Sequence, residues 1–253
     1  MREILGRRRR LRFRRKRGPV QLEAALHCAA EWEWPVLPGV GLKATPGTSQ
    51  ASRKSQRAQQ SHQSESSAGP AGSGGDRGRA CACPDADCVV PGAHPFDPGI
   101  LAASTDERMV RWWWANRPTA PIILATGGRA PCALSLPAVA GARALSELDR
   151  MGMRLGPVIA TPTRWSLLVA PYTLERLGEL LFVKDRVPSS LRFHSEGGYV
   201  VLPPSETGPG QVRWERAPLV GSAAPWLPDV EAVVDALVEA STSAPDGGSR
   251  LTY

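Results

Sequence analysis

Three of the five cysteines fall within eight residues, and a histidine follows six residues after the third. The four side chains belong to Cys81, Cys83, Cys88 and His94, in a stretch interrupted by Pro and Gly. Three thiolates and one imidazole form a complete tetrahedral ligand set for zinc, so we predict a structural zinc site. The alternative is a loop of reduced cysteines in which His94 caps a helix or makes a turn. A disulfide is disfavoured, because no secretory segment places these thiols in an oxidising compartment.

Positive charge is concentrated at the start of the chain. Residues 2–17 contain ten Arg or Lys residues and a single acid, so the remainder carries about −2 of the formal total of +7. Residues 1–18 are predicted to be a disordered basic tail that contacts phosphate surfaces without sequence preference. A solubilising arm or a wrongly assigned start codon would explain the same residues. The net charge of the chain therefore does not indicate a basic groove on the folded part.

Apolar runs in the sequence are short. The longest, such as residues 121–125, have the length of a strand, which excludes a transmembrane helix. The arginine-rich start is followed by no apolar run of about 7–15 residues, so neither a secretory nor a twin-arginine signal is predicted. A cytoplasmic location and no membrane partner are expected.

A change in composition divides the chain. Residues 43–79 consist largely of Ser, Gln, Gly, Ala and Arg, and they lack the apolar side chains that would offset the entropy of ordering. We predict a disordered insertion there. The first helix and strand of the domain are expected at residues 19–42, the remainder of the domain at 80–240, and a flexible C-terminus at 241–253.

The ordered part alternates between helical and strand periodicities. Helices are predicted at residues 20–34, 105–115, 137–151, 173–182 and 229–240, with Ser104 or Thr105 as the N-cap of the second. Strands are predicted at residues 36–38, 121–126, 132–136, 157–161, 165–170, 190–194, 199–202 and 211–214. This mixed order, with consecutive strands late in the chain, favours an α+β fold over a doubly wound parallel sheet.

Several short motifs occur in an order that is similar to one family. They are Cys81-x-Cys83 with Cys88 and His94-Pro95, Thr105-Asp106 before Trp112-Trp113, Ala125-Thr126-Gly127, Gly197-Gly198-Tyr199-Val200-Val201 before Pro203-Pro204-Ser205, and Arg213-Trp214. Together they resemble the N-terminal domain of bifunctional DNA primase/polymerases, of the archaeo-eukaryotic primase superfamily, over about residues 20–240. Such domains occur in replication proteins. The resemblance implies an RRM-like palm sheet joined to a second α/β unit.

The resemblance also implies a catalytic site that this chain does not match. In the family, an Asp-x-Asp after an apolar strand and a later Asp bind two divalent ions, and a histidine contacts the incoming nucleotide. The corresponding positions here are Ser135, Pro137 and Arg192 for the acids and Trp165 for the histidine. A hydroxyl, an imino ring and a cation lack the anionic oxygens that Mg²⁺ sites require. We therefore predict a catalytically inactive homologue, with Mg²⁺ or Mn²⁺ expected only if catalysis survives.

The predicted function is binding of nucleic acid or of a nucleotide in the degenerate catalytic cleft. The candidate contacts are Arg164, Arg192, His194 and Arg213. One alternative is an active primase/polymerase or nucleotidyltransferase with relocated acids, for which the candidates are Glu147, Asp149, Asp185 and Glu196. A second alternative is a protein-interaction module on the same scaffold.

Overall fold

The computed structural model of the chain describes residues 20–44, 79–219, 221 and 224–242. Within them the helices are α1 (Val20–Leu26), α2 (Glu107–Asn116), α3 (Ala138–Arg150), α4 (Leu174–Phe182) and α5 (Val230–Thr242). The strands are β1 (Val36–Pro38), β2 (Leu42–Ala44), β3 (Arg79–Cys81), β4 (Ile122–Ala125), β5 (Cys132–Pro137), β6 (Val158–Ala160), β7 (Arg164–Val169), β8 (Arg192–His194), β9 (Tyr199–Leu202), β10 (Ser205–Thr207) and β11 (Gly210–Arg216). Helices combined with antiparallel sheets confirm the predicted α+β class.

The largest sheet has six antiparallel strands in the order β10-β11-β6-β7-β5-β8. Four of these strands and two helices follow one another in the chain as β5-α3-β6-β7-α4-β8, and the strands lie in the order β6-β7-β5-β8. This is the β-α-β-β-α-β arrangement of ferredoxin-like and RRM-type sheets. The RRM-like palm that the resemblance implies is therefore present.

Alternating side chains give the large sheet two different faces. On the back face, Leu134 and Leu136 of β5 and Leu167 of β7 lie in a core that is completed by α3, α4 and α5. Helix α3 approaches β7 closely at Gly141, where a Cβ atom would lie 2.7 Å from the Cβ of Trp165. The intervening residues, such as Ser135 in β5, therefore point to the opposite, front face of the sheet.

A second unit covers part of that front face. Strands β1, β4 and β9 form a three-stranded sheet, with α1 and α2 packed in the same core. Trp114 of α2 is fully buried there, and its indole N–H donates a 3.1 Å hydrogen bond to the carbonyl of Ala120. Ile159 and Leu168 of the large sheet belong to the same core. The chain crosses from the palm to this unit between β8 and β9.

Several element boundaries differ from the sequence predictions. Helix α1 ends at Leu26 and is followed by a single π-helical turn, His27–Glu31, so the predicted helix to residue 34 was too long. The N-cap of α2 is Asp106, whose side chain accepts from the N–H of Arg108, and the prediction of Ser104 or Thr105 was wrong. The short strands β2, β3 and β10 were not predicted, because pairing with a neighbouring strand defines them and their local sequence does not.

The predicted tail and most of the predicted insertion, residues 1–18 and 45–78, lie outside the described residues. The two ends of the insertion differ from expectation, because Lys43 and Ala44 belong to β2 and Arg79 to β3. Helix α5 likewise runs two residues into the predicted C-terminal stretch, to Thr242. Among the described helices, none is long and apolar enough to cross a membrane.

Candidate functional site

A cleft of about 500 Å³ opens on the front face of the palm. Its floor is formed by the large sheet, one wall by the segment between β8 and β9, and another wall by the loop that follows β3. Its lining residues include Ser135, Ser166, Arg164, Arg192, His194, Val89 and Val90. The cleft therefore lies where the palm, the smaller sheet and the cysteine loop meet.

Strand register explains why polar side chains converge there. Ser135 of β5 lies directly opposite Ser166 of β7 on one side and Arg192 of β8 on the other. Two residues away along the strands, Arg164 lies opposite Pro137 and His194 opposite Ala133. Because residues two apart share a face of a strand, these side chains line one side of the sheet.

Arg164 is the most firmly held of these groups. Its Nε donates to Ser135 Oγ at 3.1 Å, and its Nη2 donates to the carbonyl oxygens of Ser135 and Ser190, each at 2.7 Å. All three acceptors are neutral. Burial, and then the positive charge of neighbouring Arg192, lower the pKa of Arg164 to about 10, so the guanidinium stays charged at neutral pH. The chain therefore fixes a cation at the floor of the cleft.

The other two basic groups differ in exposure and charge. Arg192 is exposed at the edge strand of the palm, so its guanidinium is accessible to a ligand. His194 is half-buried; burial, and then the charges of Arg164 and Arg192, lower its pKa to about 4. His194 is therefore neutral at physiological pH. The positive charge of the cleft comes from the two arginines.

No carboxylate is present among the described residues that line the cleft. Of the four acids considered as relocated metal ligands, Glu147 pairs with Arg150 and Asp149 with Arg216. The other two, Asp185 and Glu196, are exposed, and neither lines the cleft. The oxygen atoms at the floor that could bind a metal ion are uncharged, and Ser135 Oγ already accepts a hydrogen bond from the guanidinium of Arg164. This donor set does not fit a pair of Mg²⁺ or Mn²⁺ ions.

Two of the sequence-predicted site residues lie away from the cleft. Trp165 points to the back face, opposite Leu136, and packs in the helix-covered core. Arg213 of β11 lies opposite Ala160, on the face away from the cleft-lining Ile159, and forms an ion pair with Glu215. Arg164, Arg192 and His194, by contrast, are brought together.

Sequence reasoning missed Ser166, which lines the cleft. The period of two along β7 would have found it, since Ser166 must share a face with Arg164.

The cysteine loop forms a compact group of potential metal ligands. The ligand atoms of Cys81, Cys83, Cys88 and His94 all lie within 4.8 Å of one another. The Nε2 atom of His94 is 3.4 Å from the Sγ atoms of both Cys81 and Cys88. Tetrahedral zinc with ordinary Zn–S and Zn–N bonds would separate sulfur from nitrogen by about 3.6 Å. The four residues could therefore hold one metal ion.

Surrounding contacts orient the ligands and attach the loop to the palm. His94 uses Nδ1 in a 2.9 Å contact with the carbonyl of Pro95, which leaves Nε2 toward the sulfurs. The N–H of Gly92 donates to the Sγ of Cys81 at 3.2 Å. The N–H of Gly208, between β10 and β11, donates to the carbonyl of Pro91 at 2.7 Å. The ligand loop is thereby joined to the sheet that carries the cleft.

Comparison with known proteins gives one match. The sequence model of the family described as bifunctional DNA primase/polymerase, N-terminal, matches residues 25–230. No curated protein and no solved structure matches. The matched range contains the palm, the smaller sheet, the cysteine loop and every described residue that lines the cleft.

Proposed function

The chain belongs to the bifunctional DNA primase/polymerase N-terminal family, and on that premise we propose that it is a non-catalytic member that binds phosphate groups of a nucleotide or nucleic acid. The observation that carries the proposal is the cleft itself. Arg164 and Arg192 line it, and none of its described lining residues is an acid. A family scaffold with this charge favours anionic ligands over metal-assisted chemistry.

The absence of suitable ligands argues against nucleotidyl transfer. Metal-assisted phosphoryl and nucleotidyl transfer depends on divalent ions that hold the attacking and leaving oxygens in line. Two positions that carry metal-binding acids in the family are occupied here by Ser135 and Arg192. The hydroxyl of Ser135 accepts a hydrogen bond from Arg164, and Arg192 is itself a cation. We therefore expect no template-directed extension.

The two arginines are suited to different parts of phosphate binding. Arg192 is exposed and can present its planar guanidinium to a phosphate in a bidentate contact. Arg164 is held in one orientation by Ser135 and Ser190, so little side-chain entropy is lost when a ligand arrives. Neutral His194 can donate or accept a hydrogen bond beside them.

Primer extension and binding assays on the same preparations test the proposal. We expect no extension of a primed template with Mg²⁺ or Mn²⁺, and binding of labelled nucleotide or single-stranded DNA that survives deletion of residues 1–18. Binding by the basic tail alone would vanish on deletion and would weaken steeply with salt. For single-stranded DNA, log K would fall by about 0.7 per phosphate neutralised for each tenfold rise in salt concentration.

The two alternatives give different results in these assays. Metal-dependent extension by the purified chain would establish an active enzyme and refute the proposal. A tail-deleted chain that binds neither nucleotide nor nucleic acid would instead indicate a protein-interaction module.

We further propose that the cysteine loop holds a structural zinc ion. The proposal is supported by the four converging ligand atoms and by the hydrogen bond that orients His94. Purified protein should contain one zinc ion per chain, and Cys83→Ser should lose both the ion and thermal stability. Cys28→Ser, which alters a buried cysteine outside the cluster, should keep its zinc. A zinc-free protein with unchanged stability in Cys83→Ser would contradict the proposal.

A further inference from the structure

We infer that the cleft binds a nucleoside triphosphate without a divalent metal ion, and that the guanidinium groups of Arg164 and Arg192 contact the phosphates directly. The inference rests on the proposed phosphate-binding function and specifies the ionic form of the ligand. It is carried by the arrangement of charge at the floor of the cleft.

Among the described residues, the guanidinium of Arg164 donates hydrogen bonds only to neutral acceptors. These are the hydroxyl of Ser135 and the carbonyls of Ser135 and Ser190. Arg192 lies in β8, on the other side of β5 from Arg164 and directly opposite Ser135, and the two cations repel each other. Bringing two like charges together is unfavourable unless an anion joins them. A phosphate group between the guanidiniums would relieve this repulsion.

The same charges disfavour a divalent metal ion in the cleft. Mg²⁺ requires oxygen ligands in octahedral geometry and is usually held by at least one carboxylate as well as by phosphates. The described lining of the cleft supplies no carboxylate, and it includes two arginines. An ion carried in by the nucleotide would therefore be repelled by the protein. It would also compete with the arginines for the same phosphate oxygens.

The size of the cleft favours a single nucleotide over a longer strand. About 500 Å³ is within the range of small-molecule sites, which runs from roughly 300 to 1,000 Å³. A triphosphate also concentrates more negative charge in that space than the single phosphates of a nucleic-acid backbone. The combination of a small volume and two converging guanidiniums therefore fits a mononucleotide.

A fluorescent deoxynucleoside triphosphate titrated into the full chain tests the inference. The buffer is freed of divalent ions with a resin before the protein is added, and no chelator is used, so that any ion in the cysteine cluster is retained. We expect binding without Mg²⁺, and a several-fold weaker affinity when millimolar Mg²⁺ is added. Equal or tighter binding with Mg²⁺ would overturn the inference.

Two arginine variants make the titration specific to the cleft. Arg192→Gln should weaken the metal-free affinity by about tenfold, the loss of a charge-assisted hydrogen bond. Arg213→Gln should change it little, because Arg213 lies on the opposite face and pairs with Glu215. Equal losses in both variants would overturn the assignment to the cleft.

The possible failures can be told apart. Binding that appears only with Mg²⁺ would refute metal-free recognition and leave the proposed phosphate-binding function intact. Binding of a single-stranded oligonucleotide without binding of the triphosphate would refute the choice of ligand. No binding of either probe under any condition would refute the proposed function as well.

Discussion

At the floor of the cleft, Ser135 accepts a hydrogen bond from Arg164, and a negative charge added at this position would neutralise the nearer of the two arginines. In Ser135→Asp the new carboxylate should pair with the guanidinium and remove its attraction for phosphate. We expect the dissociation constant for nucleotide to rise about 10- to 100-fold, the value of a charged hydrogen bond. Fluorescence titration measures it. Ser135→Asn, similar in size and uncharged, should bind much more tightly than the Asp variant, and equal losses would point to crowding.

His194 should make the stability of the protein depend on pH. Its pKa is lowered from 6.5 to about 4 by burial and by the charges of Arg164 and Arg192, so the unfolded chain binds a proton more readily than the native protein. The stabilising contribution is therefore complete above about pH 6.5 and is lost as the pH falls toward 4, by up to about 3 kcal/mol. Urea unfolding at several pH values measures this loss. His194→Gln should flatten the profile, and an unchanged slope would exclude His194 as its origin.

Single positions in the cleft show what sequence could and could not predict. Arg192 was identified because motif spacing placed it at the position of the third family acid, and Arg164 because it precedes the position of the family histidine; both line the cleft. Trp165 was assigned to the same site, but it lies on the back face, since strand register decides which neighbour points inward. Register is a long-range property, and local spacing alone does not determine it.

At the scale of elements, helix α3 and strand β7 depend on their close approach at Gly141. A Cβ atom there would lie 2.7 Å from the Cβ of Trp165, an atom that cannot move without the backbone. We expect Gly141→Ala to destabilise the protein by about 1–3 kcal/mol through overpacking, despite the higher helix propensity of Ala. Denaturant unfolding tests this.

Gly178 provides a matched control in helix α4. A Cβ atom at that position would meet no atom within 4 Å, so Gly178→Ala should stabilise the protein by about 0.5–1 kcal/mol. If both variants were stabilised, the contact between α3 and β7 would be looser than the structure describes.

The long elements and several short strands were predictable, and three short strands were not. Residues 137–151 and 173–182 carry helical periodicity over several turns, and the observed helices Ala138–Arg150 and Leu174–Phe182 lie within one residue of the predictions. Strand Tyr199–Leu202 agrees at both ends. By contrast, the three-residue strands β2, β3 and β10 exist because partner strands hold them, which no local pattern records.

For the whole molecule, the cysteine loop and the cleft are parts of one structure. The loop between the ligands Cys88 and His94 supplies Val89 and Val90 to the cleft wall. The carbonyl of Pro91 in the same loop accepts a hydrogen bond from the N–H of Gly208, between β10 and β11 of the large sheet. We expect removal of the proposed zinc ion to release this wall and to weaken nucleotide binding several-fold, while the helical circular dichroism is largely retained. Affinities measured before stripping, after stripping, and after zinc is restored test this. An unchanged affinity in the stripped protein would show that the loop and the cleft are independent.

The hairpin β2–β3 fixes the two ends of a long connection next to each other. Its register pairs Ala44 with Arg79 and Leu42 with Cys81. Strand pairing therefore sets the distance between the two ends, and it places no requirement on how many residues join them. Closure entropy rises only with the logarithm of loop length, by about 0.6 kcal/mol for each doubling. Insertions and deletions at this hairpin can therefore accumulate in evolution without compensating changes in the core, and a short turn could replace residues 45–78 while the neighbouring metal ligand Cys81 keeps its place in β3.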